Sequence, residues 1–231
     1  MIPGYWASMM RLALVIALTL TAGGCGSAER PAKAGDPLRF SFELESEPGF
    51  ISQMLTIENG GSSSLAPVLQ ITALDAAGDP MPDIEVKTAF GSDSGRLVVP
   101  AEWAVFDVLR FEGPGAREVE NVEVRVSEAE EVSIERPTEE AEIQRLDRGR
   151  PVEYEHLFNA FRLTNPGKTE VAVRVALIEY EDPPEGESQQ WVRVTELAPL
   201  TMLAAGEKET IRLPAELRWK VIGSVKPYFA R

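Results

Sequence analysis

Apolar and polar residues alternate singly along much of this chain, and that period of two restricts its fold more than any other feature. Leu38, Phe40, Phe42 and Leu44 fall on one side, with Arg39, Ser41, Glu43 and Glu45 on the other. Val122, Val124 and Val126 alternate in the same way with Glu123 and Arg125. Successive side chains of a strand point to opposite faces, so the pattern predicts strands with one face on a core and one in water. Turn clusters separate the runs: Glu47-Pro48-Gly49, Asn59-Gly60-Gly61, Ala77-Gly78-Asp79-Pro80 and Gly113-Pro114-Gly115. Short strands broken by Gly, Pro, Asn and Asp predict an all-β sandwich or barrel. No segment carries the pattern of a long amphipathic helix.

The pattern also repeats. Residues 54–75 align without a gap on residues 160–181, with Ile57 on Leu163, Asn59 on Asn165, Gly61 on Gly167 and Leu65 on Val171. The common content is a strand, an Asn-x-Gly turn and a second strand. Residues 97–102 also match residues 211–216, both ending in Pro-Ala-Glu, with the 183–187 loop as the source of extra residues in the second copy. A fixed internal repeat marks one supersecondary unit used twice. The expected layout is a first β-sandwich domain at 38–135, a charged linker at 136–152 and a second β-sandwich domain at 153–231. The linker has room for a short helix capped by Thr138 and stopped at Gly149.

These strands and turns resemble the immunoglobulin-like or fibronectin type III-like modules of bacterial envelope proteins. The resemblance implies two tandem immunoglobulin-like β-sandwich domains. It rests on pattern, and the Cys–Trp–Cys signature of antibody domains is missing. Such folds host many functions, so the architecture alone assigns none.

The amino terminus gives an address. Arg11 is the only charged residue before Glu29, and a compact apolar run at 12–20 follows it. A positive start, a short apolar run and small residues before a cleavage point make a secretory signal. The run is too short for a spanning helix, which needs about 20 apolar residues. Met1, Met9 or Met10 can serve as the start. Ala22-Gly23-Gly24-Cys25 resembles the lipobox of bacterial lipoproteins, although that family usually has Leu where this chain has Ala22. The resemblance implies a signal peptide at 1–24, a lipid on Cys25 and attachment to a membrane. Gly26 follows the Cys in place of the Asp of the inner-membrane retention signal, which favours the periplasmic face of the outer membrane. Residues 25–37 then read as a flexible tether.

Composition narrows the chemistry. With 37 Asp+Glu against 23 Lys+Arg the chain carries a net charge of −14, which argues against a nucleic-acid partner. One Cys and one His exclude an internal disulfide framework and any site that needs two of either residue. Gly91-Ser92-Asp93-Ser94-Gly95 misses the G-x-S-x-G elbow, because Asp93 holds the central place, and reads as a polar hairpin turn. His156 lies in Glu153-Tyr154-Glu155-His156 with no partner imidazole or thiol, and reads as a half-exposed residue. Asp75, Asp79 and Asp83, with Glu179, Glu181, Asp182, Glu185 and Glu187 in the second copy, are calcium candidates by residue type. Their spacing is not that of a calcium loop. Trp103 and its counterpart Leu217 read as core, whereas Trp191, beside Gln189-Gln190, reads as a partly exposed binding residue. Trp219 is a third large aromatic. The acidic run 128–131 reads as a solvated face.

No catalytic constellation emerges. The expectation is a non-enzymatic, lipid-anchored envelope protein that binds a protein partner. Its alternatives are a carbohydrate- or cell-wall-binding module and an enzyme acting through paired carboxylates. No cofactor is expected beyond the calcium candidates.

Overall fold

The computed structural model describes residues 37–44, 52–153, 157–181, 189–217 and 223–231. The first half contributes β1 (Leu38–Glu43), β2 (Met54–Asn59), β3 (Ser64–Leu74), β4 (Glu85–Thr88), β5 (Trp103–Glu112) and β6 (Asn121–Val132). The second contributes β7 (Glu142–Asp147), β8 (Arg150–Pro151), β9 (Ala160–Thr164), β10 (Val171–Tyr180), β11 (Trp191–Leu203), β12 (Lys208–Arg212) and β13 (Ser224–Phe229). One short 3-10 turn, Ala116–Glu118, is the only helical element among the described residues. The protein is all-β.

Two four-stranded sheets, β1-β2-β5-β4 and β12-β9-β7-β8, accompany the smaller groups β3-β6 and β11-β10-β13. Residues 96–99 join those smaller groups. On one side Leu65 N donates to Val99 O at 2.9 Å and Val99 N to Leu65 O at 2.7 Å. On the other, Val98 N donates to Phe229 O at 3.0 Å, and Leu97 bridges Ala230. The hydrogen-bonded path therefore runs β6, β3, 96–99, β13, β10, β11, across both halves of the chain.

A core lies on each face of this path. The first gathers Leu55, Ile57, Leu97, Val99, Leu109 and Phe111 with Ala176, Ile178, Tyr228 and Ala230 of the second half. The other gathers Phe158, Phe161, Leu163, Leu213 and Phe229 with Ala66 and Val98 of the first half. Alternation along β10 explains the sharing. Val171, Val173, Val175 and Leu177 enter one core, while Ala176 and Ile178 enter the other. A strand covered on both faces can be apolar at nearly every position, as this Val-rich run is.

The strand–turn–strand repeat is present as β2–turn–β3 and β9–turn–β10. Asn59 Nδ2 donates to Ser63 O at 2.9 Å and Asn165 Nδ2 to Thr169 O at 2.8 Å. Each Asn Oδ1 accepts from the Gly two residues on, Gly61 or Gly167, at 2.9 Å. Both glycines sit in tight surroundings, Gly167 the tighter. A Cβ on Gly61 would lie 3.0 Å from Pro37 Cβ and 3.1 Å from Asn59 Oδ1, and one on Gly167 would lie 2.8 Å from Thr138 Oγ1.

The second repeat block is corrected. Asn59 Nδ2 also donates to Val99 O at 3.1 Å, and Asn165 Nδ2 to Leu203 O at 3.0 Å. Leu65 pairs with Val99 as Val171 pairs with Leu203. Residues 97–102 therefore correspond to 201–206. Ile211 and Arg212 close β12, which pairs with β9, and Leu213 lies just beyond it; 211–213 match 97–99 only in having apolar residues before a Pro. The stretch 136–152, expected as a linker or short helix, supplies β7, whose Ile143 pairs with Leu163 of β9. A buried partner strand draws this segment into a sheet, with Glu142 and Gln144 exposed and Arg145 buried over the Phe158 ring, its Nη2 donating to Gly223 O at 2.7 Å.

Candidate functional site

The two halves meet in a cleft of about 170 Å³, with Phe90, Trp103, Phe106, Tyr228 and Phe229 in its wall. Phe90 stacks on Tyr228 at a ring separation of 4.6 Å and meets Phe106 edge-on at 5.7 Å. Glu140 and Lys226 supply the charged groups of the lining. Trp103 and Phe106 are half-buried and pack against the second and the first core. Burial raises the Tyr228 phenol above its ordinary value and keeps it neutral.

Asp107 of β5 holds the segment that carries Phe90. Its carboxylate is fully buried and accepts from Phe90 N at 2.8 Å, Ser92 N at 3.0 Å and Val108 N at 2.8 Å. Burial raises this carboxyl above its ordinary value, and the three amides pull it back. The Gly91–Gly95 segment is thus a turn clamped from below. Ser94 N and Arg96 N both return to Gly91 O, at 3.2 and 3.0 Å, and Gly91 and Gly95 take positive φ values of 81° and 72°.

A second set of contacts ties β11 to β5. Trp191 is 9% exposed, its Nε1 donates to Val108 O at 3.1 Å, and the Arg110 guanidinium lies 5.5 Å from its ring centre. Gln190 Oε1 accepts from Phe111 N at 2.9 Å, and Arg110 Nη1 donates to Val192 O at 3.1 Å. The expectation of an exposed Trp191 is therefore corrected: the indole belongs to the seam between the halves. Trp103, expected in the core, packs against the second core and also lines the cleft. Leu217 packs against the second core as expected.

The acidic candidates do not converge. Asp75 Oδ1 accepts from Ala77 N and Asp79 N, both at 2.9 Å, so its carboxylate closes its own turn. Among the described residues no three Asp, Glu, His or Cys side chains gather where they could hold a metal ion, and Asp79 and Asp83 join no such group. In the second copy Glu179 pairs with Arg193, while Asp182, Glu185 and Glu187 lie outside the described residues. So do Cys25, the whole leader 1–24, His156 and Trp219. Among the described residues no helix is long and apolar enough to cross a membrane.

The aromatic cleft had no signature in the sequence. Its rings come from three separate segments, and only the pairing of 96–99 with β13 brings Phe90 against Tyr228. An Asp between Phe106 and Val108, in an otherwise apolar run, was the one local sign of a buried polar clamp. No family model, curated protein or solved structure matches this chain.

Proposed function

We propose that this is a non-enzymatic, lipid-anchored envelope protein that binds a protein partner through a paired-module body. In this reading Cys25 carries the lipid, 25–37 is the tether, and each half is an immunoglobulin-like module. The topology supports the last point: β1-β2-β5 recurs as β7-β9-β12, and β3-β6 recurs as β10-β13. The observation that carries the reading is the size of the cleft. About 170 Å³ is below the roughly 300–1,000 Å³ of small-molecule sites and suits a single large side chain of a partner. An anchor then raises the local concentration of that surface at the membrane.

A specific observation also favours a second reading, a carbohydrate-binding module, because half-buried Trp103 stands in the cleft lining beside Phe90 and Phe106. The paired-carboxylate enzyme has less support, since Glu140 supplies the one carboxylate of the lining. One experiment separates the three. Cross-linking in native membranes is compared for the intact protein, Trp103→Ala and Cys25→Ser. A protein adduct of the intact chain that Trp103→Ala loses, with Cys25→Ser released from the membrane, is the expected result. Glycan binding that needs Trp103, or turnover that disappears with Glu140→Gln, overturns the reading.

A further inference from the structure

Three of the four large apolar residues exposed among the described residues lie on one strand: Val192 at 46%, Leu200 at 37% and Met202 at 51%, all on β11. That strand pairs with β10 on one side and, among the described residues, with no strand on the other. An exposed apolar edge is a template for another strand, and soluble proteins usually charge or cover it.

The internal repeat says what covers such an edge. Because Val99 corresponds to Leu203, Val98 corresponds to Met202 and Arg96 to Leu200. In the first half the outer edge of 96–99 is occupied by β13: Val98 N donates to Phe229 O at 3.0 Å, and Arg231 N to Arg96 O at 3.4 Å. Val98 is consequently 0% exposed and shares a core with Phe229. Met202 has the same place in its own half with no such cover.

We infer that the outer edge of β11 receives an antiparallel extended segment of a partner protein, with a large aromatic or aliphatic side chain where Phe229 stands beside Val98. This rests on the protein-partner reading above and names a surface and a partner chemistry for it. The structural counterpart of β13 in this chain is β6, and it makes a poor occupant. Its matching stretch carries Glu128, Ala129, Glu130 and Glu131, with no aromatic and with added negative charge on a chain already at −14. Acidic edges of this kind disfavour self-association.

The probe is a labelled synthetic peptide of residues 223–231, the segment that fills the equivalent edge internally. It is titrated onto the mature protein, with binding followed by anisotropy and by the Met202 methyl signal. The expected result is saturable binding that perturbs Met202, weakens about tenfold or more in Met202→Lys and is unchanged in Ser127→Lys on β6. The same peptide with Phe229→Ser should also bind at least about tenfold more weakly. No binding up to about 1 mM overturns the inference, as does binding insensitive to Met202→Lys. An intact chain that is a dimer, and that Met202→Lys makes monomeric, identifies a second copy as the occupant and overturns it too. In membranes, a partner that still cross-links to Met202→Lys removes the edge while leaving the protein-partner reading in place.

Discussion

Asn59 and Asn165 show how much a single side chain does in this architecture. Each is nearly fully buried, at 2% and 0% exposure, and each ties three parts of its half together: its own turn, the start of the next strand and the strand end at Val99 or Leu203. Replacing either with Ala leaves buried backbone groups without partners, at a cost of about 2 kcal/mol or more. Urea unfolding of Asn59→Ala and Asn165→Ala should give losses of the same order, because three bonds are common to both, while Asn165 Nδ2 adds one to Ala204 O at 3.1 Å. Asp107 makes a different prediction. Burial raises its folded pKa above the ordinary aspartate value, so the folded chain holds this proton more tightly than the unfolded chain. The contribution of the group is therefore largest in acid and declines as pH rises through its folded pKa. Measured at about pH 4 and about pH 8, the stability of the natural chain relative to Asp107→Asn should be greater at the lower pH. The Asn turns were legible in the sequence because the same residues recur at the same spacing. The acceptor carbonyls of Val99 and Leu203 were not, since nothing local marks which distant strand end faces an Asn.

At the scale of elements, strands were easier to read than their partners. Alternation located β1 and β6, and the repeat alignment located β9 and β10 as strands; the cover on both faces of β10 comes from the structure. Pairing depends on residues far apart in the chain. The lettering of 97–102 pointed to 211–216, but hydrogen-bond register assigns its counterpart to 201–206. Trp191 looked exposed because its sequence neighbours are polar, yet Val108 and Arg110 of β5 enclose it. The element that bears most on integrity is β13, which neighbours β10 on one side and 96–99 on the other. It also sends Val225 and Phe229 into one core and Tyr228, with Ala230 just beyond the strand, into the other. A chain ending at residue 222 exposes two strand edges and both cores at once. Circular dichroism and gel filtration should find it aggregated or unfolded, whereas a folded, monomeric product would show that β13 is dispensable.

At the scale of the molecule, the repeated module does not stand as two beads on a string. The halves share a hydrogen-bonded path, each core takes residues from both, and the Trp191 contacts add a second seam. Ion pairs cross the junction as well, Arg96 on Glu196 and Arg231 on Glu130. Partly exposed pairs of this sort contribute little individually, so the burial of Val98, Tyr228 and Phe229 must hold the halves together. Such a body brings residues of both halves to the cleft. The most direct test is native-state hydrogen exchange at two adjacent amides. Val98 N–H donates across the seam to Phe229, and Val99 N–H donates within the first half to Leu65. If the halves fold as one unit, both amides exchange only through global unfolding, with equal protection and equal denaturant dependence. A rapidly exchanging Val98 beside a strongly protected Val99 would mean that the halves separate in solution, and would contradict the account.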